Sequence, residues 1–263
     1  MKEGKGLQLL IGLIAVLILA SFTMPAYPAF LDFNIDATHP VTAQISYAGG
    51  SSPLVGVNIG VDKVTGIGTP LNTGVDRFLF GIETLVDLNS DGDFDDAGER
   101  IQNAALSFTT GIWTGNIGNI ANFSGGGTLD IVGGIDLNND GDVDDLGDIP
   151  LGTSLLSATF TMAQLTFTGT DYKLTFGEFA DDKPIKLTDF YGLPSTDTIP
   201  YIGYLNLGFR ASGSPPSDFI STSVGSGNVE NSPIPEPGTL LLLGSGLVGL
   251  AGYAKLRLKR RNS

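Results

Sequence analysis

The sequence predicts an all-β fold, a single domain of the β-sandwich or jelly-roll-like type over residues 30–210. Three observations predict it. Apolar and polar residues alternate with period two in several short stretches, the pattern of a strand with one buried face. Clusters of Gly, Pro, Ser and Asn separate these stretches at intervals of about 8–12 residues, as between the strands of a sandwich. The composition is strand-friendly, with 37 Gly and 15 Phe but only 16% charged residues, and lacks the Glu, Lys and Ala runs that favour helices. A hydrophobic fraction of 41% in 263 residues is enough for a sizeable core.

Taken in order, residues 41–47 set Val41, Ala43, Ile45 and Tyr47 against Thr42, Gln44 and Ser46. After the turn Gly49-Gly-Ser-Ser-Pro53, residues 54–61 place Val55, Val57, Ile59 and Val61 on one face. A strand over 76–86 runs into an Asp-rich stretch, and 105–113 and 128–132 supply two more. Ser124-Gly-Gly-Gly127 between them reads as a break, because glycines lose the most backbone freedom on ordering. Leu156, Ala158, Phe160 and Met162 line one face of a long strand. Two further strands follow, one marked by Tyr172, Leu174 and Phe176, the other by Tyr201, Gly203, Leu205, Leu207 and Phe209. Residues 211–234 turn to Ser, Pro, Gly and Asn and read as a flexible stalk, with room for a last edge strand at 219–224.

Two stretches stand out: Asp87-Leu-Asn-Ser-Asp-Gly-Asp-Phe-Asp-Asp-Ala-Gly-Glu99 and Asp136-Leu-Asn-Asn-Asp-Gly-Asp-Val-Asp-Asp-Leu-Gly-Asp148. They align without a gap, and each sets oxygen-bearing side chains at alternate positions with a glycine at the sixth. That is the ligand spacing of an EF-hand-type calcium loop, whose glycine permits the turn that folds the oxygens around a hard cation. The expected ligands are Asp87, Asn89, Asp91, Asp93, Asp95 and Glu99 in the first loop. In the second they are Asp136, Asn138, Asp140, Asp142, Asp144 and Asp148, with Asp96 and Asp145 as alternative closing carboxylates. Position 12 is glycine in both (Gly98, Gly147), and the acid arrives one residue later. With strands rather than helices on their flanks, the loops resemble the EF-hand-like loops of secreted β proteins, or thrombospondin-type Asp repeats. The competing reading makes them plain solvated turns of Asp, Asn and Gly. Six acids in each stretch argue against it, because their mutual repulsion costs stability without a cation, and a turn needs only one or two. Two structural calcium ions are therefore expected, with magnesium disfavoured because it retains its waters.

Residues 30–237 carry seven Lys and Arg against 27 Asp and Glu, a net charge of −20. Such a field repels nucleic acid, which is not expected as a partner. Cysteine is absent, which rules out disulfide, zinc-thiolate and thiol chemistry. The one histidine, His39, precedes Pro40, and no Gly-x-Ser-x-Gly elbow accompanies it. Asp181-Asp182-Lys183-Pro184 reads as a turn rather than as a glycosidase carboxylate pair. No enzymatic activity is expected. Trp113, Tyr191, Tyr201 and Tyr204 would make a sugar-stacking platform if they were exposed together, which keeps a carbohydrate-binding module as the alternative.

The two ends carry an address. Residues 1–29 have the form of a signal peptide: Lys2 and Lys5, an apolar run over 7–20, and cleavage positions after Ala26 or Ala29. At the other end Pro235-Glu-Pro237 precedes an uncharged run over 238–254, expected to be a transmembrane helix. The basic tail Lys255-Leu-Arg-Leu-Lys-Arg-Arg261 follows, a positive-inside signal. The acidic body between the ends is thereby placed outside the inner membrane. Over residues 235–263 the order Pro-Glu-Pro, short glycine-containing helix and Arg-rich tail resembles the PEP-CTERM sorting signal of Gram-negative bacteria. The resemblance implies processing by a membrane-embedded exosortase, transient membrane anchoring, and a destination at the cell surface or in an extracellular matrix. A structural or adhesive role in an exopolysaccharide or biofilm matrix is the function it suggests, with exopolysaccharide as a further partner.

Overall fold

The computed structural model describes residues 30–35, 42–67, 75–81, 104–138, 143 and 145–234, together with 244, 246, 247, 249 and 250. These form an all-β domain, as the sequence predicts, with ten strands in one antiparallel sheet. The strands are β1 (Phe30–Ile35), β2 (Gln44–Tyr47), β3 (Pro53–Ile67), β4 (Val75–Phe80), β5 (Ala104–Ile117), β6 (Ile120–Ile135), β7 (Ile149–Thr168), β8 (Asp171–Asp182), β9 (Tyr201–Ala211) and β10 (Phe219–Pro233). A short helix, α1 (Ile185–Phe190), lies between β8 and β9.

The sheet closes on itself. β1 and β2 occupy successive lengths of one position, since both pair with β3 and with β10. β4 and β5 likewise share the position between β3 and β6. From β6 the order runs through β7, β8 and β9 to β10, which returns to β1. Apart from β1 and β2, and β4 and β5, which share positions, chain neighbours are therefore sheet neighbours. Within the all-β class this is a closed meander, without the crossing connections of a jelly roll, and closure leaves no long edge to protect.

Pairing register also separates the two ends. One carries tight connections at 48–52, 118–119, 169–170 and 212–218. The other carries the start of β1, the connections 81–103, 136–148 and 183–200, and the end of β10.

The interior is apolar and aromatic. Phe160 stacks on Phe176 at 4.1 Å, and Phe108 meets Phe176 edge-on at 5.2 Å. Nearer the tight turns, Tyr47 meets Phe123 edge-on at 5.8 Å, while Tyr172 packs against Phe209 and Phe219. At the elaborate end Leu187 of α1 and Tyr191 behind it are buried, and the Tyr191 hydroxyl donates to the Val64 carbonyl at 3.1 Å. This apolar filling is the reverse of a membrane-spanning barrel, whose interior is polar.

Four expectations are corrected by the strands and their register. In β3 the inward residues are Leu54 and Gly56, then Ile59 and Val61, so Val55 and Val57 face out. The register slips between Gly56 and Ile59, and Asn58 takes a left-handed φ of 53°, a bulge that switches the face. Ser124-Gly-Gly-Gly127 is no break: it is a bulge inside β6, with Gly126 at φ 85° and the register slipping between Ser124 and Gly127. Opposite it Met162 faces outward, the inward alternation passing from Phe160 to Ala163. Finally, residues 211–234 are not a flexible stalk. β10 takes up 219–233 and pairs with β9 along most of its length, its Gly and Ser residues tolerated because Val224, Val229 and Asn231 point inward among larger neighbours.

Candidate functional site

The second Asp-rich stretch connects β6 to β7 and is held from both sides. At its entrance Ile135 pairs with Leu79 of β4 and with Ile149 of β7, which fixes the stem. The Arg77 side chain, carried on β4, donates from Nε to the Leu137 carbonyl at 3.2 Å while its guanidinium rests over the Phe190 ring. At the exit Lys186 of α1 donates from Nζ to the carbonyls of Leu146 (2.9 Å) and Asp148 (2.8 Å). Arg77 and Lys186 were not singled out from the sequence. The available signal was their scarcity, with seven cations in a body of 27 acids.

Asp148 reaches back across the loop. Its Oδ1 accepts from the main-chain N–H of Leu137 at 2.8 Å and of Asn138 at 3.3 Å, so the last expected ligand is stapled to the second and third residues of the stretch. Asn138 donates from Nδ2 to Asp145 Oδ2 at 3.2 Å. Asp148 is fully buried and Asp136 is 6% exposed, although both are acids in a surface connection. The other carboxylate oxygen of Asp148, Oδ2, is buried with no hydrogen-bond partner among the described residues. Such an oxygen carries its full desolvation cost unless something binds it. A cleft of about 420 Å³ lined by Leu137, Asn138, Asp148, Lys186, Asp189 and Phe190 opens beside it.

Asp140, Asp142 and Asp144 lie outside the described residues, as does the whole first stretch with Asp87, Asn89, Asp91, Asp93, Asp95 and Glu99. Among the described residues no group of three or more His, Asp or Glu converges to hold a metal. What is described is the frame: Asp136 and Asp148 buried at the two ends of the stretch, Asn138 between them. The strands also bring the two ends of the 81–103 connection beside the stem of the second stretch. A Cβ built on Gly133, two residues before the end of β6, would touch both the Phe80 carbonyl and Ala104, the residues at which the 81–103 connection leaves and rejoins the sheet.

Asp181, expected in a turn, is the last but one residue of β8 and sits in a fully buried ion pair: Lys183 Nζ donates to its Oδ1 at 2.6 Å. The ammonium also lies over the Tyr201 ring, 4.1 Å from its centroid, where a desolvated cation is attracted to the π face. Burial pulls Lys183 down from 10.5 to about 8 against the opposing pull of Asp181. The same burial pushes Asp181 up, against Lys183. No bound sugar platform is assembled by the expected aromatics: Tyr191 and Tyr201 are buried, and Trp113 on β5 and Tyr204 on β9 belong to strands that are not neighbours. His39 lies outside the described residues.

The closed all-β domain and a chain that leaves it at residue 234 define an exported domain joined directly to a C-terminal sorting segment. A family model, the PEP-CTERM protein-sorting motif, matches residues 233–261, including Pro235, Glu236 and Pro237. The chain carries a PEP-CTERM sorting signal at its C-terminal end. The motif marks it as a secreted or cell-surface protein sorted through an exosortase, with its C-terminus anchored in the membrane. No curated protein and no solved structure matches it. No helix of the described residues is long and apolar enough to cross a membrane, and the expected helix over 238–254 lies mostly outside them, as does the signal peptide over 1–29.

Proposed function

We propose that the protein is a non-catalytic component of the cell surface or extracellular matrix whose domain is stapled by calcium at residues 136–148, and by a second ion at 87–99. Its role would be structural or adhesive, within an exopolysaccharide layer. The observation that carries the calcium reading is Asp148: one oxygen holds the loop backbone, and the other is buried with no partner among the described residues. A cation bound by Asp136, Asn138, Asp140, Asp142, Asp144 and Asp148 would satisfy that oxygen and offset the repulsion among the acids. Extracellular calcium near a millimolar suffices for sites of about 10⁻⁴–10⁻³ M, and binding to the folded state alone stabilises it by RT ln(1 + [L]/Kd).

The test is thermal melting of the full chain in detergent, followed by Trp113 emission, with calcium and with chelator. The expected outcome is a rise in Tm with calcium that Asp148→Asn abolishes. In chelator Asp148→Asn should melt no lower than the parent, since the amide keeps an oxygen for Leu137 and Asn138 while the buried charge is gone. A full calcium shift in Asp148→Asn would remove the second loop from the reading.

A further inference from the structure

The exit of the chain constrains how the domain can sit at a membrane. The Ile234 N–H donates to the Pro200 carbonyl at 2.9 Å, so the backbone belongs to the domain through that residue. The uncharged run of the sorting segment begins at Gly238. Four residue steps reach at most about 14 Å even when fully extended. Two of the three residues between are proline, which limits folding back. β9 alone has 11 residues, about 36 Å at 3.3 Å per residue. The tether is therefore much shorter than the domain is tall, and it leaves from the end that carries 136–148 and α1.

That end presents apolar side chains to solvent. Leu146 is 97% exposed at the exit of the Asp-rich connection, and Ile185, at the start of α1, is 52% exposed. The two are brought together by Lys186, whose ammonium holds the Leu146 carbonyl. A leucine so exposed, next to a membrane anchor, suits the boundary between headgroups and acyl chains, where apolar tips insert. We propose that in the membrane-anchored chain this end lies against the bilayer, with Leu146 and Ile185 in contact with the lipid interface. The tight-turn end, with 118–119 and 169–170, then points away from the membrane and is the face offered to the surroundings.

The absence of cysteine makes the test clean. Single-cysteine variants of the full chain, Leu146→Cys, Ile185→Cys, Thr159→Cys on the wall and Thr170→Cys at the far turn, are labelled with a fluorophore. They are then reconstituted in phosphatidylcholine vesicles containing a headgroup-attached quencher, after unaltered melting confirms that each variant is folded. The expected result is loss of most emission at positions 146 and 185, with emission at 159 and 170 largely retained. Equal quenching at 159 would mean a domain lying on its side. Quenching at 170 would mean the opposite end down, and none at 146 and 185 a domain held clear of the lipid. Each of these three results overturns the proposal.

Discussion

Two buried charges, Asp148 and Lys183, sit in the same end of the domain and differ in what satisfies them. Lys183 has its partner inside the protein, Asp181 at 2.6 Å with the Tyr201 face alongside. The opposed shifts of the pair, Lys183 lowered and Asp181 raised, both with burial as the leading cause, mark a pair whose desolvation outweighs its attraction. Removing one partner strands the other: Lys183→Met should cost about 3–5 kcal/mol in chemical denaturation, and Asp181→Leu with Lys183→Met should recover most of it. The sign of the pH dependence follows from the proton count. Between about 8 and 10.5 the unfolded chain keeps a lysine proton that the folded chain has released, so stability contributed by this group rises with pH. Tyr191 and Tyr201, pushed up by burial, act in the other direction, but only above 10, where their unfolded forms ionise. Wild type should therefore gain about 1–2 kcal/mol between pH 8 and 10 relative to the double variant. Parallel curves for the two proteins over that window would show that the pair does not titrate there.

At the scale of the strand, three glycines lie directly under aromatic rings of the neighbouring strand: Gly56 opposite Phe108, Gly127 opposite Phe160, and Gly203 opposite Phe179. A Cβ on Gly203 would stand 2.1 Å from the Phe179 ring, and one on Gly56 2.2 Å from Phe108. Each ring covers backbone that the missing side chain leaves open, which lets large residues fill the interior without pushing the strands apart. Propensity alone says that Gly→Ala within a strand stabilises by reducing unfolded-state freedom. Here the expectation reverses: Gly203→Ala should destabilise by about 1–3 kcal/mol through overpacking. Gly152, with a left-handed φ of 78° and open space at its Cβ position, is the control for backbone strain without a clash. A Gly203→Ala protein as stable as the parent would mean that the Phe179 ring yields. These pairs also explain which strands were legible in the sequence. Where one residue faces in and the next out without interruption, as at Tyr172, Leu174 and Phe176, the face is read correctly. Where a bulge adds a residue, as at Asn58 and across 124–127, the period-two pattern breaks, and the sequence records only glycines and a misplaced apolar residue.

For the whole molecule, closure is the property that the sequence hid most completely. Alternation reveals that a strand has an inner face, but ring closure depends on which strand returns to the first. That strand is β10, written in Ser, Gly and Asn, whose composition resembles a linker. The candidate metal stretch was legible for the opposite reason, since ligand spacing is local and survives without knowledge of the fold. Its clamps from Arg77 and Lys186 come from residues about 60 and 40 positions away and were invisible. Closure makes a strong prediction about truncation. β10 pairs with β9 on one side and with β1 and β2 on the other, and it supplies Phe219 to the aromatic cluster with Tyr47, Tyr172 and Phe209. Residues 30–234 and residues 30–211 differ only by this strand and the connection before it. If 211–234 were a stalk, the two would melt alike. With β10 as the closing strand, the shorter chain leaves β9 and β1 as open edges and strips Phe219 from the aromatic cluster at one end. It should show no cooperative melt and should aggregate, while the longer chain unfolds in a single transition. Matching transitions for the two would return 219–233 to the status of a dispensable edge and open the ring.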